Sequence, residues 1–269
     1  MSESLYFYDL ETSGLSSKKD RIMQFAGQRT NLNLEPIGDP DNIYIKITDD
    51  ILPSPDAVLV TGITPQKTLA DGISEADFLK YFYEAIAVPK TVFVGYNSIR
   101  FDDEFIRNLN YRNFYDAYEW QWSEGRGRWD ILDVVRMTRA LRPDGINWPF
   151  SPEGKPSNKL ELLAELNKLE HDHAHDALSD VFATIEVARL IQQKNQKLFE
   201  YLYKIRNKKE VDNLVSSGKP FVYSSGRYES KYNYTTTAVV VGQHPTKQGA
   251  YLVYDLRYDP NNYSDKTVD

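Results

Sequence analysis

The residues best suited to chemistry form a cluster of histidines and carboxylates. Residues 170–180 read EHDHAHDALSD and include three of the four histidines, His171, His173 and His175. A zinc site built from these three is disfavoured, because the chain has no cysteine and no further histidine set nearby. A histidine–aspartate phosphohydrolase needs additional histidines, and only His244 remains. We therefore interpret His171 and His173 as solvated loop residues and keep His175 as a candidate for acid–base chemistry.

Two carboxylates near the N-terminus share one face of a predicted strand. In FYDLETSG, Asp9 and Glu11 are two residues apart, so their side chains project to the same side. Two like charges held together on an otherwise apolar strand are costly unless a cation lies between them. The alternative is a strand end that emerges into solvent with incidental acids, and Asp-x-Glu alone does not decide between the two.

A third group of acids lies where a predicted buried strand leads into a helix. In VFVGYNSIRFDDEF the strand ends near Tyr96, and Asp102, Asp103 and Glu104 fall in the first turn of the helix. Acids at this position also interact favourably with the helix dipole. A purely structural role at the helix start is therefore the alternative to a role in chemistry.

His175 and Asp180 can reach one cleft only if a helix begins between them. An apolar stripe predicts a helix over residues 176–193, with Asp176 as its N-cap. With His175 on the preceding loop and Asp180 one turn inside the helix, the two side chains can point into the same space. A continuous helix would place them on different faces, since they are five residues apart.

The elements that must position these motifs predict an α/β fold with a mixed sheet. We expect strands at 5–11, 22–30, 43–47 and 91–96, and helices at 74–87, 102–109, 130–141, 159–166 and 176–193. Ser74 is the expected N-cap of the first helix. After about residue 209, alternating β-branched and aromatic runs predict a small all-β module that the chain contains only in part.

The order of the acidic motifs resembles the DEDDh family of 3′→5′ exonucleases. The motifs are Asp-x-Glu, then Asn-x-x-x-Phe-Asp, then His-x-x-x-x-Asp. FYDLETSG, RWDILDVVRMTRALRPDGINWP and AHDALSDVFATI also resemble the bacterial exonuclease I group, over about residues 5–210 and more thinly beyond. The resemblance implies an RNase H-like exonuclease domain over 1–195. It implies a linker helix and a partial SH3-like domain over 196–269, without the helical domain that follows in that group.

The resemblance also implies a site for two Mg²⁺ ions, with Mn²⁺ as the alternative, because hard oxygen ligands suit these metals. Asp9 would contact both ions, and Glu11 and Asp180 would complete the first site. Asp102 would support the second ion. His175 would be the general base that takes a proton from the attacking water. The implied activity is hydrolysis of single-stranded DNA to 5′-mononucleotides in DNA repair and recombination.

Residues 100–142 predict a channel for the single strand, because arginines alternate there with aromatic side chains. Aromatic rings stack on bases, worth about 1–3 kcal/mol per base, and guanidiniums hold phosphates. By the resemblance, the residues that reach the strand are Glu11, Arg107, Tyr118, Trp122, Arg136, Lys159 and Lys208. Position 159 is lysine where the resemblance implies arginine. A guanidinium can bind a phosphate through two parallel N–H groups, whereas the lysine ammonium acts as a single compact charge. Trp129 and Phe114 are predicted to be core residues instead.

Composition limits the function less than the motifs do. The net charge of −7 and the pI of about 5.3 argue mildly against a nucleic-acid binder. Residues 192–228 nevertheless carry eight basic and three acidic side chains. We predict that this basic stretch forms one wall of the channel for the single strand. The lack of cysteine excludes disulfides and thiolate chemistry. With neither a signal peptide nor a long apolar run, we expect a cytoplasmic protein without membrane contact.

The expected partners are single-stranded DNA and, by the resemblance, the C-terminal tail of the single-stranded DNA-binding protein on a basic surface. We expect a monomer. Two alternatives stay open. A ribonuclease or proofreading nuclease of the same fold would act on short RNA or on a primer end, although the long aromatic–arginine segment argues against it. A catalytically inert module would bind single strands without metal or turnover.

Overall fold

A five-stranded mixed sheet forms the centre of the larger part of the chain. The computed structural model describes residues 2–169 and 176–263. The strands are β1 Ser4–Thr12, β2 Ile22–Thr30, β3 Asp41–Tyr44, β4 Thr91–Gly95 and β5 Gly127–Asp130. They lie in the order β3-β2-β1-β4-β5, with β1 antiparallel to β2 and parallel to β4. The predicted α/β fold with a mixed sheet is confirmed.

The central strand β1 buries both of its faces. Leu5 and Phe7 belong to one core cluster, and Tyr6 and Tyr8 belong to the cluster on the other side of the sheet. This division follows from the alternation of side chains along a strand. The odd-numbered face continues beyond Phe7 to the two carboxylates at the strand's C-terminal end.

Helices cover both faces of the sheet in the described part of the chain. They are α1 Pro55–Thr61, α2 Pro65–Asp71, α3 Glu75–Tyr81, α4 Asp102–Arg112, α5 Ile131–Leu141, α6 Leu160–Leu166, α7 Ala177–Lys194, α8 Gln196–Lys204 and α9 Lys208–Ser216. Helices α3 and α4 pack on the tyrosine face of β1, and α5 to α8 pack on the other face. None of the described helices has the length and apolar character required to span a membrane.

Two predicted N-caps are confirmed, and one predicted core residue is wrong. Ser74 Oγ accepts from the Asp77 N–H at 3.1 Å, and the Asp176 carboxylate accepts from the Ser179 N–H at 3.3 Å. Phe114 was expected in the core but is 98% exposed. It follows the end of α4 with a left-handed backbone (φ 65°), and this turn directs its side chain into solvent.

A second, smaller sheet lies in the C-terminal part of the chain. Its strands β6 Phe221–Ser224, β7 Thr235–Gln243 and β8 Tyr251–Asp255 pair antiparallel in chain order. This is the small all-β module that the alternating sequence predicted. Helix α8, which precedes it, packs into the larger core. The division of the chain at residue 195 stays a prediction.

Candidate active site

Three of the predicted carboxylates meet at the C-terminal end of β1. Asp9 and Glu11 come from the strand, and Asp180 comes from the first turn of α7, which packs across β1 and β2. One oxygen from each carboxylate lies within 4.8 Å of the others. The structure therefore brings together residues that are about 170 positions apart in the chain.

Asp102 borders this group without belonging to it. It is the first residue of α4 and is only 4% exposed. Burial raises the pKa of Asp9 well above its usual range, and the charge of Asp102 is the next largest cause, ahead of Asp180. The pKa of Asp102 is also raised, by burial and then by the charge of Asp103.

The electrostatics of the cluster favour a bound cation. Burial, followed by the charges of Asp180 and Asp176, raises the pKa of Glu11 from 4.5 to about 8. Carboxylates held this closely in a buried position repel each other and resist ionisation. A divalent cation would remove that repulsion, and carboxylate oxygens are the ligands that hard divalent cations prefer. The chemistry of the donor set therefore fits a divalent metal centre.

The start of α7 is held to the sheet through its cap residue. The Asp176 carboxylate accepts from the Gln24 side chain of β2 at 3.3 Å, as well as from the helix N–H of Ser179. The Asp180 N–H donates to the Asp176 carbonyl at 3.0 Å. These bonds position Asp180 over the end of β1. His175, the predicted general base, lies outside the described residues, as do His171 and His173.

A buried ion-pair network behind the carboxylate cluster was not predicted from the sequence. Asp103 is 1% exposed and accepts from the Tyr8 hydroxyl and from the Arg128 guanidinium. Arg107 lies 3.9 Å from the same carboxylate. The network connects β1, α4 and β5 directly beside Asp102. The contacts with Tyr8 and Arg128 join residues far apart in the chain, so no local sequence signal reveals them.

Asp130 organises the loop that leads to Asp102. Its carboxylate accepts from the backbone N–H groups of Asn97, Ile99 and Leu132, at 2.9, 3.2 and 3.0 Å. Burial raises its pKa to about 6, although these three hydrogen bonds oppose the change. One side chain thus caps α5 and fixes the turn between β4 and α4. From the sequence, Asp130 was expected only as the start of a helix.

A cleft of about 660 Å³ opens beside the carboxylates. Asp9 and Asp180 line it, together with two predicted strand contacts, Arg136 and Lys159. Lys159 pairs loosely with Glu161 at 3.5 Å and remains largely exposed. The cleft therefore joins the acidic centre to two cations that can hold phosphates.

The other predicted strand contacts lie outside this cleft. Arg107 pairs with Glu104, donates to Gln121 at 3.0 Å and lies 5.3 Å from the Tyr118 ring. Tyr118 and Trp122 are both more than half exposed, which leaves them available for stacking. Lys208 is exposed at the start of α9. The predicted core residue Trp129 is indeed buried, at 5% exposure.

The fold and the acidic centre are those of the exonuclease class. The family model described as Exonuclease matches residues 6–188, and the model of the exonuclease I SH3-like domain matches residues 206–269. The first match alone covers well over half of the chain. The chain belongs to the exonuclease I family.

Relatives agree with this assignment over nearly the whole chain. Exodeoxyribonuclease I of Haemophilus influenzae is 45% identical over 268 residues, which are 99% of this chain and 57% of that protein. The crystal structure of Escherichia coli exonuclease I in complex with a dA16 oligonucleotide is similar with a TM-score of 0.93 and 44% identity, covering 98% of this chain and 57% of that one. A moderately thermophilic exonuclease I from Methylocaldum szegediense gives a TM-score of 0.93, 46% identity and the same coverage. The chain thus spans a little over half the length of these relatives.

Proposed function

We propose that the chain is a 3′→5′ exonuclease that hydrolyses single-stranded DNA to 5′-mononucleotides in DNA repair and recombination. The observation that carries the proposal is the convergence of Asp9, Glu11 and Asp180 beside a cleft with two cations. The similar structure from E. coli contains a single-stranded oligonucleotide, which supports the substrate class. Action on chromosomal DNA would place the protein in the cytoplasm.

The acidic residues would hold two Mg²⁺ ions, with Mn²⁺ as the alternative. Asp9, Glu11 and Asp180 would hold the first, and Asp102, together with Asp9, would support the second. Bound ions of this kind supply Lewis acidity and neutralise the charge that develops on the phosphate. Asp103 and Asp130 would keep Asp102 in place through the contacts described above.

His175 would act as the general base. In the sequence it directly precedes Asp176, the N-cap of the helix that carries Asp180. Histidine has an ordinary pKa near 6.5 and accepts a proton at neutral pH. In this role the neutral imidazole takes the proton of the water that attacks the phosphorus.

The single strand would enter along the cleft and the exposed aromatic side chains. Arg136 and Lys159 would hold phosphates next to the carboxylates, and Tyr118 and Trp122 would stack on bases. Arg107 would contact the backbone, and Lys208 would extend the basic wall. Binding of this kind weakens as salt rises, because phosphate contacts release counterions.

The partner proposals follow from the family and from charge. A monomer would dock the acidic C-terminal tail of the single-stranded DNA-binding protein on a basic surface, which the lysine-rich residues 192–228 could provide. A tail peptide with its acidic residues replaced should lose binding to the purified chain, whereas the native peptide should bind more weakly as salt increases.

A time course on 3′- and 5′-labelled oligonucleotides tests the proposed activity. With Mg²⁺, the 3′ label should appear first as a mononucleotide, and the 5′-labelled strand should shorten stepwise. Asp9→Asn should lower the rate by at least a thousandfold, whereas Asp71→Asn, an exposed change at the end of α2, should not alter it.

Parallel assays with single-stranded DNA, RNA and a primer duplex distinguish the proposed function from its alternatives. Faster hydrolysis of RNA would favour a ribonuclease, and faster hydrolysis of a primer duplex would favour a proofreading enzyme. Binding without any hydrolysis, unaffected by Asp9→Asn, would indicate an inert binding module. Each of these outcomes would contradict the proposed function.

A further inference from the structure

A turn of the smaller sheet module forms part of the catalytic cleft. Ser230 and Tyr234 line the cleft together with Asp9 and Asp180, although they precede β7 in the second module. The acidic centre and the smaller module therefore border the same space. A strand bound along this cleft can contact both.

The turn holds an unusual backbone conformation. Asn233 and Tyr234 are consecutive non-glycine residues with left-handed backbones, at φ 50° and 57°. Asparagine tolerates this region, but tyrosine adopts it at a cost that persists only where the surrounding structure imposes it. The Ser225 N–H donates to the Tyr234 carbonyl at 2.8 Å and holds the turn closed. The strained Tyr234 is one of the two residues of this turn that line the cleft.

Tyr234 packs against a cation of the larger domain. The guanidinium carbon of Arg136 lies 5.2 Å from the centre of the Tyr234 ring, and an Arg136 Nη donates to Asp133 at 2.7 Å. On another side, a side chain at Gly226 would come within 3.2 Å of an Nη of Arg136 and would collide with Arg100. Arg136 is only 9% exposed. Two residues of the smaller module thus confine a guanidinium that faces the catalytic cleft.

We propose that Tyr234 is a positioning residue of the nuclease site. Its ring holds the Arg136 guanidinium at the edge of the cleft, where the guanidinium meets a backbone phosphate of the single strand. The contact with the ring face uses none of the guanidinium N–H groups, so those that do not bond to Asp133 can donate to a phosphate. The proposal rests on the proposed function and adds one residue of the smaller module that orients a cation of the cleft.

The test compares Tyr234→Leu with Tyr234→Phe. The leucine variant should raise the KM for a short oligonucleotide about three- to tenfold and leave kcat within about twofold, because loss of one cation–π contact weakens binding rather than chemistry. Phenylalanine keeps the ring and should restore the native KM. Tyr258→Leu removes a half-exposed tyrosine of the same module outside the cleft and should change neither value.

A double-mutant cycle separates positioning of Arg136 from a general structural effect. In an Arg136→Lys background the change Tyr234→Leu should have almost no further effect on KM, since lysine lacks the planar group. Gly226→Ala provides a second perturbation, because the added methyl group would collide with Arg100 and crowd an Nη of Arg136 at 3.2 Å. Like Tyr234→Leu, Gly226→Ala should raise KM and leave kcat nearly unchanged.

Three outcomes would overturn the proposal: equal KM values for the leucine variant and the native chain, full additivity with Arg136→Lys, or failure of phenylalanine to restore binding. The same comparison of Kd values in an Asp9→Asn background with Ca²⁺ measures binding without turnover. If the native chain shows no hydrolysis, the proposed function fails. The Tyr234 effect on Kd then still decides whether this turn shapes a single-strand site.

Discussion

Replacing Glu11 by glutamine should stabilise the metal-free fold and remove its response to divalent cations. Burial and the neighbouring charges of Asp180 and Asp176 raise the pKa of Glu11 from 4.5 to about 8. Near neutral pH the folded chain therefore disfavours the ionised carboxylate, whereas the unfolded chain ionises it freely. Glutamine keeps the shape of the side chain and has no charge to accommodate.

The magnitude follows from the linkage between pKa and stability. Each pKa unit corresponds to about 1.4 kcal/mol. The pKa of Glu11 is higher in the folded chain than in the unfolded chain. The carboxyl group therefore costs no folding stability below its unfolded pKa of 4.5, and the cost grows as the pH rises to its folded pKa of about 8. At pH 7 this amounts to about 3 kcal/mol for an isolated group. Because neighbouring carboxylates contribute to this pKa and can themselves take up protons, we expect a smaller gain of about 1–3 kcal/mol for E11Q without metal.

Thermal and urea unfolding in chelator at pH 5 and pH 8 measure this effect. The advantage of E11Q should grow with pH, and Mg²⁺ should stabilise the native chain much more than the variant. E84Q, an exposed change that follows α3, is the matched control and should behave like the native chain. The reasoning is refuted if E11Q is less stable than the native chain in chelator at pH 8, or if Mg²⁺ stabilises both equally.

Three further predictions concern the surroundings of the site. Asp103→Ala leaves Arg128 without its buried partner and should lower the free energy of unfolding by about 2–4 kcal/mol, measured by urea titration. Asp130→Ala removes the cap of α5 and should cost about 1–2 kcal/mol, with a lower kcat at saturating substrate because Asp102 loses its support. Phe114→Gly relieves a left-handed backbone at an exposed site and should change the melting temperature little or raise it, and a clear decrease would mean that Phe114 is packed in solution.

Local patterns predicted much of the scaffold. The strand expected at residues 22–30 has those bounds in the structure, and Asp176 caps the helix that carries Asp180. Both follow from short-range chemistry, namely side-chain alternation in a strand and side-chain capping of a helix. The same local rules placed Asp9 and Glu11 on one face of β1. The motif spacing then indicated which acids the fold should bring together.

Features that depend on distant contacts could not be predicted from the sequence. The bond between Asp103 and Arg128 joins α4 to β5, and the packing of Tyr234 on Arg136 joins two modules. Neither leaves a periodic or compositional signal. The helices α1 and α2 were missed because they are short and bury almost no side chain, none in α1 and only Thr68 in α2, so no buried apolar stripe marks them. Phe114 was assigned to the core by its residue type alone, and the turn after α4 determines its position instead.

The most direct test of the central claim is the anomalous scattering of Mn²⁺ in crystals of the chain. We predict a peak surrounded by carboxylate oxygens of Asp9, Glu11 and Asp180, and loss of that peak in crystals of E11Q. Mn²⁺ peaks only at unrelated surface carboxylates, or a peak that persists unchanged in E11Q, would contradict the account of this site.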